Sequence, residues 1–194
     1  MTENDELNDE LVVLLDDEGE EVGTAPKATV HSQDTPLHRA FSAYLFNQVG
    51  ELLMTRRSLT KLTWPGVWTN SFCGHPGPGE SDQDAIRRRS VEELGLNPNS
   101  LSDIEAILPE FRYRAVDSSG VVENEICPVY IARLRIPATA LNPMPEEIDQ
   151  WAWVTPRKLF IAVDSTPFAF SPWLVEELAE QKLRDALLSI SEGI

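Results

Sequence analysis

Residues 72–96 read FCGHPGPGESDQDAIRRRSVEELGL, and this stretch leaves the backbone few options. Five glycines or prolines fall between Gly74 and Gly79, so neither a regular strand nor a helix can continue through them. Ser81 then sits where a helix N-cap belongs, Asp84 follows three residues on in the capping-box position, and Gly95 closes the helix. A strand ending near Cys73, a tight loop and a capped helix over about 82–94 are predicted.

The rest of the chain mixes strands and helices around that unit. Leu11–Leu15 is a short apolar run followed by the turn-rich DDEGEEVG. FSAYLF (41–46) and ELLMTRR (51–57) flank Asn47–Gly50 and predict a β-hairpin. EAILPEFRYRAV and VVENEICPVYIARL flank the turn tetrad Asp117-Ser118-Ser119-Gly120 and predict a second, longer one. QWAWV is a further strand. Thr155-Pro156 and Ser171-Pro172 each pair an N-cap residue with proline at the first helical position, so two helices are expected to finish the chain. No repeat or low-complexity linker interrupts the pattern. The expectation is one α/β domain with a mixed sheet over residues 11–190, preceded by an acidic flexible tail over 1–10.

Charge narrows the partners. The net charge is −16, and residues 1–21 hold ten Asp or Glu before the first base, Lys27. Nucleic acid and anionic membrane are therefore not expected partners, since phosphate neutralisation needs a basic face. A small phosphorylated ligand is compatible with local clusters such as Arg56, Arg57 and Lys61, or Arg87, Arg88 and Arg89. No apolar run approaches a membrane span, the acidic amino-terminal residues do not have an export-signal pattern, and two cysteines make no disulfide framework. These features predict a cytoplasmic location.

The residues that carry chemistry are few. The histidines number three, His31, His38 and His75. Taken singly each is more often a satisfied structural residue than a ligand. Glu123 and Glu125, however, alternate along VVENEI, so both carboxylates face one side of a predicted strand and need a cation or a basic partner. Three imidazoles and two carboxylates make a plausible shell for Mn, Mg or Zn. Cys73 lies at the mouth of the glycine-rich loop beside His75; it is either a small buried hydrophobe or a thiol set for proton transfer or nucleophilic attack. Cys127, among strand residues, is read as buried filler.

Gly74, Glu80, Arg88, Glu92, Glu93, Gly95 and Leu96 fall at the spacing of the Nudix box, with Arg89 and Ser90 where that box has Glu and an aliphatic residue. HSQDTPLHRAFS, TRRSLTKLTWPGVWTNSFCGHP, GESDQDAIRRRSVEELG, PEFRYRAVDSSGVVENEICPV and STPFAFSPW together resemble the type I isopentenyl-diphosphate isomerase family. The resemblance implies a Nudix-type α/β/α sandwich with a mixed sheet and a Nudix-like loop–helix. It implies interconversion of isopentenyl and dimethylallyl diphosphates in isoprenoid biosynthesis, with a small prenyl diphosphate as partner and no organic cofactor. Carried over by position, His31, His38, His75, Glu123 and Glu125 match the family's metal ligands, and Cys73 and Glu125 its catalytic pair. Tyr113 stands with Glu125, and Trp173 over the hydrocarbon. Glu93, with the Cys73 backbone carbonyl, matches the residue holding a Mg ion on the diphosphate, which Lys27, Arg57, Lys61 and Arg89 face.

That assignment suits the chemistry. Shifting a double bond by one carbon requires one proton added and one removed from the neighbouring carbon, which an acid and a base can do without a redox cofactor. An indole face can stabilise the tertiary cation between those steps; packing of Trp173 against Phe168 and Phe170 is the plainer alternative. A Nudix diphosphohydrolase is the second reading, opposed by Arg89 at a metal-ligand position of the box. A catalytically silent phosphometabolite-binding module is the third.

Overall fold

The computed structural model describes residues 10–193. The expected acidic tail, apart from Glu10, lies outside the described residues. The strands run β1 (Leu11–Leu15), β2 (Glu21–Pro26), β3 (His38–Arg39), β4 (Phe41–Phe46), β5 (Leu52–Arg57), β6 (Trp68–Thr69) and β7 (Phe72–Gly74). They continue as β8 (Leu101–Leu108), β9 (Arg112–Val116), β10 (Val122–Ile126), β11 (Val129–Leu134) and β12 (Ile148–Val154). The helices are α1 (Lys27–Val30, a single turn), α2 (Asp82–Leu94), α3 (Pro156–Ser165), α4 (Pro172–Ala179) and α5 (Gln181–Glu192).

The α/β class and the mixed pairing hold, divided between two sheets. One has the order β2-β1-β3-β10-β9; the other runs β12-β5-β4-β11-β8, with β6 on β5 and β7 on β4. The pairs β3–β10 and β4–β11 are parallel and the remainder antiparallel. The central strand β4 explains the sandwich. Every residue of FSAYLF is buried, because alternate side chains feed opposite layers. Phe41, Ala43 and Leu45 pack with Ala85, Ile86 and Leu94 of α2. Tyr44 and Phe46 pack with Leu159, Leu174, Leu178, Leu183 and Leu187 of α3, α4 and α5. Truncating a core side chain such as Ile86 or Leu174 to Ala should cost about 2–5 kcal/mol.

The loop–helix forms as its residues dictate. Ser81 Oγ accepts from the Asp84 amide at 3.1 Å, and Gly95 ends α2 in the left-handed region at φ 63°. A Cβ there would meet Asn142 O at 2.3 Å, so glycine is required twice over.

Four local expectations need correction. The hairpin of β4 and β5 closes at one rung, Phe46–Leu52, and then splays, because β6 and β7 fold back to pair with β5 and β4. The longer hairpin is real only for β9 and β10; β8 and β11 pair with each other in the other sheet, the chain crossing between sheets at Cys127-Pro128. The turn after β1 is shorter than DDEGEEVG, since β2 starts at Glu21. The carboxy-terminal end carries three helices, because Glu180 breaks the last into α4 and α5.

Candidate active site

The crossing between the two sheets brings distant residues to one place. On β10, Glu125 lies in register with His38 of β3 on one side and with Tyr113 of β9 on the other. Cys73 pairs with Ser42 at the edge of β4, and His75 follows two residues later at the start of the loop. His31 caps the single turn α1. The three imidazoles stand with ring centroids 5.0–5.6 Å apart.

Their polar atoms converge. One ligand atom from each of His31, His38, His75 and Glu125 lies within 4.8 Å of all the others. His75 Nε2 is 3.1 Å and His38 Nε2 3.4 Å from Glu125 Oε1. Glu123 joins at one remove: its Oε2 is 3.0 Å from His31 Nε2, while Thr63 Oγ1 donates to its Oε1 at 2.8 Å. His38 Nδ1 sits 2.9 Å from Pro36 O, which turns Nε2 inward. Burial pushes His75 down to about 4 against the pull of Glu125, which keeps its ring neutral and a lone pair free. Burial would raise Glu125, but its bonds to His38 and His75 outweigh this and hold it below the usual carboxylate range. His75 Nδ1 is buried with no hydrogen-bond partner among the described residues, and the Glu123 carboxylate beside His31 Nε2 is not aligned for a hydrogen bond. Imidazole nitrogens from three histidines converging on one ionised carboxylate fit a divalent cation.

A cavity of about 380 Å³ opens beside this cluster, and Cys73, Tyr113, Glu123, Glu125, Trp173, His31 and His75 are among its lining residues. Tyr113 Oη donates to Glu125 Oε2 at 3.0 Å. Cys73 Sγ lies 3.2 Å from Asn70 Nδ2 and 3.4 Å from Asn70 Oδ1, and burial pushes its thiol pKa up. Trp173 packs edge-on to Trp64 at 5.4 Å and tilted against Tyr113 at 5.8 Å. Packing on Phe168 is ruled out, since that side chain is 86% exposed.

The same cavity is also lined with charge, and the Arg57 guanidinium lies 5.3 Å over the Trp173 ring. Lys27, Arg57, Lys61, Arg89 and Glu93 all line the cavity. Each cation is held by an internal acceptor: Lys27 by Glu10 at 2.9 Å, Lys61 by Glu147, and Arg57 by Thr63 O at 2.9 and 3.1 Å. Arg89 donates to Glu93 at 2.7 Å and Glu92 at 2.8 Å and lies 3.4 Å from Glu147. Arg88 and Glu80 of the box pair through two bonds of 2.8 and 2.9 Å, and Arg88 also reaches His75 O, so this pair braces the loop. A Cβ on Gly74 would sit 2.6 Å from Arg89 Cγ; glycine there lets α2 approach β7.

The NUDIX domain model matches residues 36–174. A Corynebacterium glutamicum protein named isopentenyl-diphosphate Delta-isomerase is 60% identical over 179 residues, covering 92% of this chain and 94% of that protein. The chain belongs to the isopentenyl-diphosphate Delta-isomerase family. A relative of the same name from Paenarthrobacter aurescens is 62% identical over 165 residues, covering 85% and 86% of the two chains. A solved structure from Deinococcus radiodurans shares the fold, with a TM-score of 0.65, 24% identity and coverage of 86% and 96%. Among the described residues of this isomerase-family chain, no helix is long and apolar enough to cross a membrane.

Every residue singled out from the family resemblance lines this cavity except His38, which meets it through Glu125. Sequence reading missed Thr63, Asn70 and Glu147, which hold Glu123, Cys73 and Lys61. Glu147 sits in the acidic PEEID stretch, and nothing local distinguishes it from its neighbours.

Proposed function

We propose that this chain interconverts isopentenyl and dimethylallyl diphosphates by proton addition and removal. One observation carries the reading: a thiol, Cys73, and a phenol-bonded carboxyl, Glu125 with Tyr113, line one cavity together with Trp173 and the cations Lys27, Arg57, Lys61 and Arg89. When substrate binds, the thiol proton of Cys73 passes to the Glu125–Tyr113 pair, whose carboxylate is ionised in the free chain, and this pair delivers a proton to the terminal carbon of the double bond. Positive charge then rests on the neighbouring tertiary carbon, against the faces of Trp173 and Tyr113. Cys73, left as thiolate by that transfer, takes a proton from the next carbon, and the double bond re-forms one position along. Lys27, Arg57, Lys61 and Arg89 hold the diphosphate, exchanging their internal acceptors for phosphate oxygens.

His31, His38, His75 and Glu125, with Glu123 beside His31, would hold one divalent ion, for which Mn, Mg and Zn are the candidates. When bound, such an ion supplies fixed positive charge that makes a coordinated carboxyl a stronger acid. Glu93, with the Cys73 backbone carbonyl, would hold Mg on the diphosphate. Two unpaired thiols suit a reducing cytoplasm, which we take as the working location.

Incubating isopentenyl diphosphate with the protein and Mg in deuterated water tests the reading. Deuterium in a dimethylallyl product, with phosphorus untouched, is expected. Release of phosphate or a monophosphate would instead favour the diphosphohydrolase, and binding without turnover the silent module.

A further inference from the structure

Asn70 is fully buried, yet five of its seven side-chain bonds go to other side chains rather than to the backbone. The two N–H groups of Nδ2 face four acceptors: Ser42 Oγ at 2.8 Å, Phe72 O at 3.0 Å, Cys73 Sγ at 3.2 Å and Ala43 O at 3.2 Å. Oδ1 accepts from Thr69 Oγ1 at 2.7 Å, Trp173 Nε1 at 3.0 Å and Cys73 Sγ at 3.4 Å. Backbone satisfaction alone would use only the donor end, on Phe72 and Ala43. The acceptor end is turned instead toward the thiol and the indole.

The carboxamide is itself clamped. Ser42 ties it to the central strand β4, and Thr69 Oγ1 lies 2.8 Å from Ser171 Oγ, the residue that caps the helix carrying Trp173. A planar amide cannot change the angle between its two ends. Sulfur and indole are thereby held in one register across the cavity.

We infer that Asn70 is a positioning residue of the isomerisation, fixing the Cys73 sulfur and the Trp173 ring relative to each other. This inference rests on the isomerase reading. A loss of alignment by about 1 Å costs on the order of 100-fold in rate. Substrate affinity rests on Lys27, Lys61 and Arg89, none of which bonds to Asn70, and should scarcely change.

The test is Asn70→Ala in the full chain loaded with metal. Three measurements are made: steady-state kinetics on isopentenyl diphosphate, thermal unfolding, and the indole N–H resonances in ¹H–¹⁵N spectra. The Trp173 resonance is assigned from its disappearance in Trp173→Phe. The expected result is a folded variant whose kcat falls about 100-fold, with KM within about threefold and a displaced Trp173 resonance. A folded variant with wild-type kcat would overturn the inference, as would a loss of kcat with the resonance unmoved. Should Asn70→Ala fail to fold, Ser42→Ala decides, because it removes one clamp and leaves the amide in place. A several-fold loss of kcat with a displaced resonance supports the role; unchanged kcat or an unmoved resonance overturns it. Inactive wild-type protein would instead sink the isomerase reading, and this inference with it.

Discussion

Tyr113 and Glu125 are register partners on adjacent strands, and the Tyr113 hydroxyl donates to Glu125 Oε2 at 3.0 Å. The other carboxylate oxygen, Oε1, faces His38 and His75. The two oxygens therefore serve different neighbours, a phenol on the cavity side and the imidazole cluster behind. Tyr113→Phe keeps the ring and the cluster but removes the phenol bond. Its kcat is expected to fall by about 100-fold, with KM little altered. Steady-state kinetics decide, and a wild-type kcat would remove Tyr113 from the proton path.

The two thiols should separate cleanly. Cys73 lines the cavity, whereas Cys127 is enclosed among Ala40, Tyr113, Ala115 and Trp173. Cys73→Ala is expected to fold normally and lose about 100- to 10,000-fold in turnover. Cys127→Ala should retain turnover and lose about 1 kcal/mol of stability through its small cavity. Comparable activities in the two variants would rule out a proton-transfer role for Cys73.

Metal content tests the histidine cluster independently of turnover. Purified wild-type protein is expected to hold one divalent ion per chain in this cluster and to lose activity on chelation. His38→Ala removes the ring that Pro36 O orients, and its metal stoichiometry should fall well below one. Glu93→Gln, on α2 beside Arg89, should keep that ion while raising the KM for the Mg-bound substrate. Elemental analysis of the three proteins distinguishes these outcomes; full occupancy in His38→Ala would break the assignment.

How much of this is legible without coordinates depends on the range of each signal. Alternation along VVENEI is local, so the shared face of Glu123 and Glu125 can be read directly, and so can the capped helix between Ser81 and Gly95. The hairpins mislead for the opposite reason. A turn signal such as Asp117–Gly120 fixes the nearest rungs but not which sheet receives β8 and β11. β2, mostly exposed and without alternation, has no strand signature, yet it delivers Lys27 and His31 to the cavity. Asn70 is the extreme case: its partner Trp173 is 103 residues away, and no pattern around TNSFC announces it.

Arg89 gives a prediction that differs from the sequence view of it as a free phosphate clamp. Arg89 is 6% exposed, and its guanidinium is already bound to Glu92 and Glu93, with Glu147 nearby. Arg89→Glu would put a fourth carboxylate among these three and remove the cation between them. Breaking a buried pair in this way costs about 3–5 kcal/mol. Chemical denaturation should register that loss before any substrate is added, and KM should rise as well. Unchanged stability and kinetics would mean that Arg89 only decorates the helix surface.

Glu177 yields a test in pH rather than in rate. It lies one helical turn beyond Trp173 on α4 and is fully buried. Tyr44 Oη donates to its Oε2 at 2.6 Å, and Oε1 has no partner among the described residues. Burial pushes its pKa from the ordinary 4.5 to about 8, overriding the bonds from Tyr44 and Ser42 that lower it. The folded chain thus keeps a proton that the unfolded chain releases above pH 4.5. Stability must then fall as pH rises from 4.5 toward 8, by at most about 1.4 kcal/mol per unit from this group. Glu177→Gln keeps the volume and a carbonyl acceptor for Tyr44 but cannot ionise. The variant should match the wild type near pH 4.5 and exceed its stability near pH 8. Denaturant unfolding at several pH values measures the difference, and parallel profiles for the two proteins would show that Glu177 is ionised when folded.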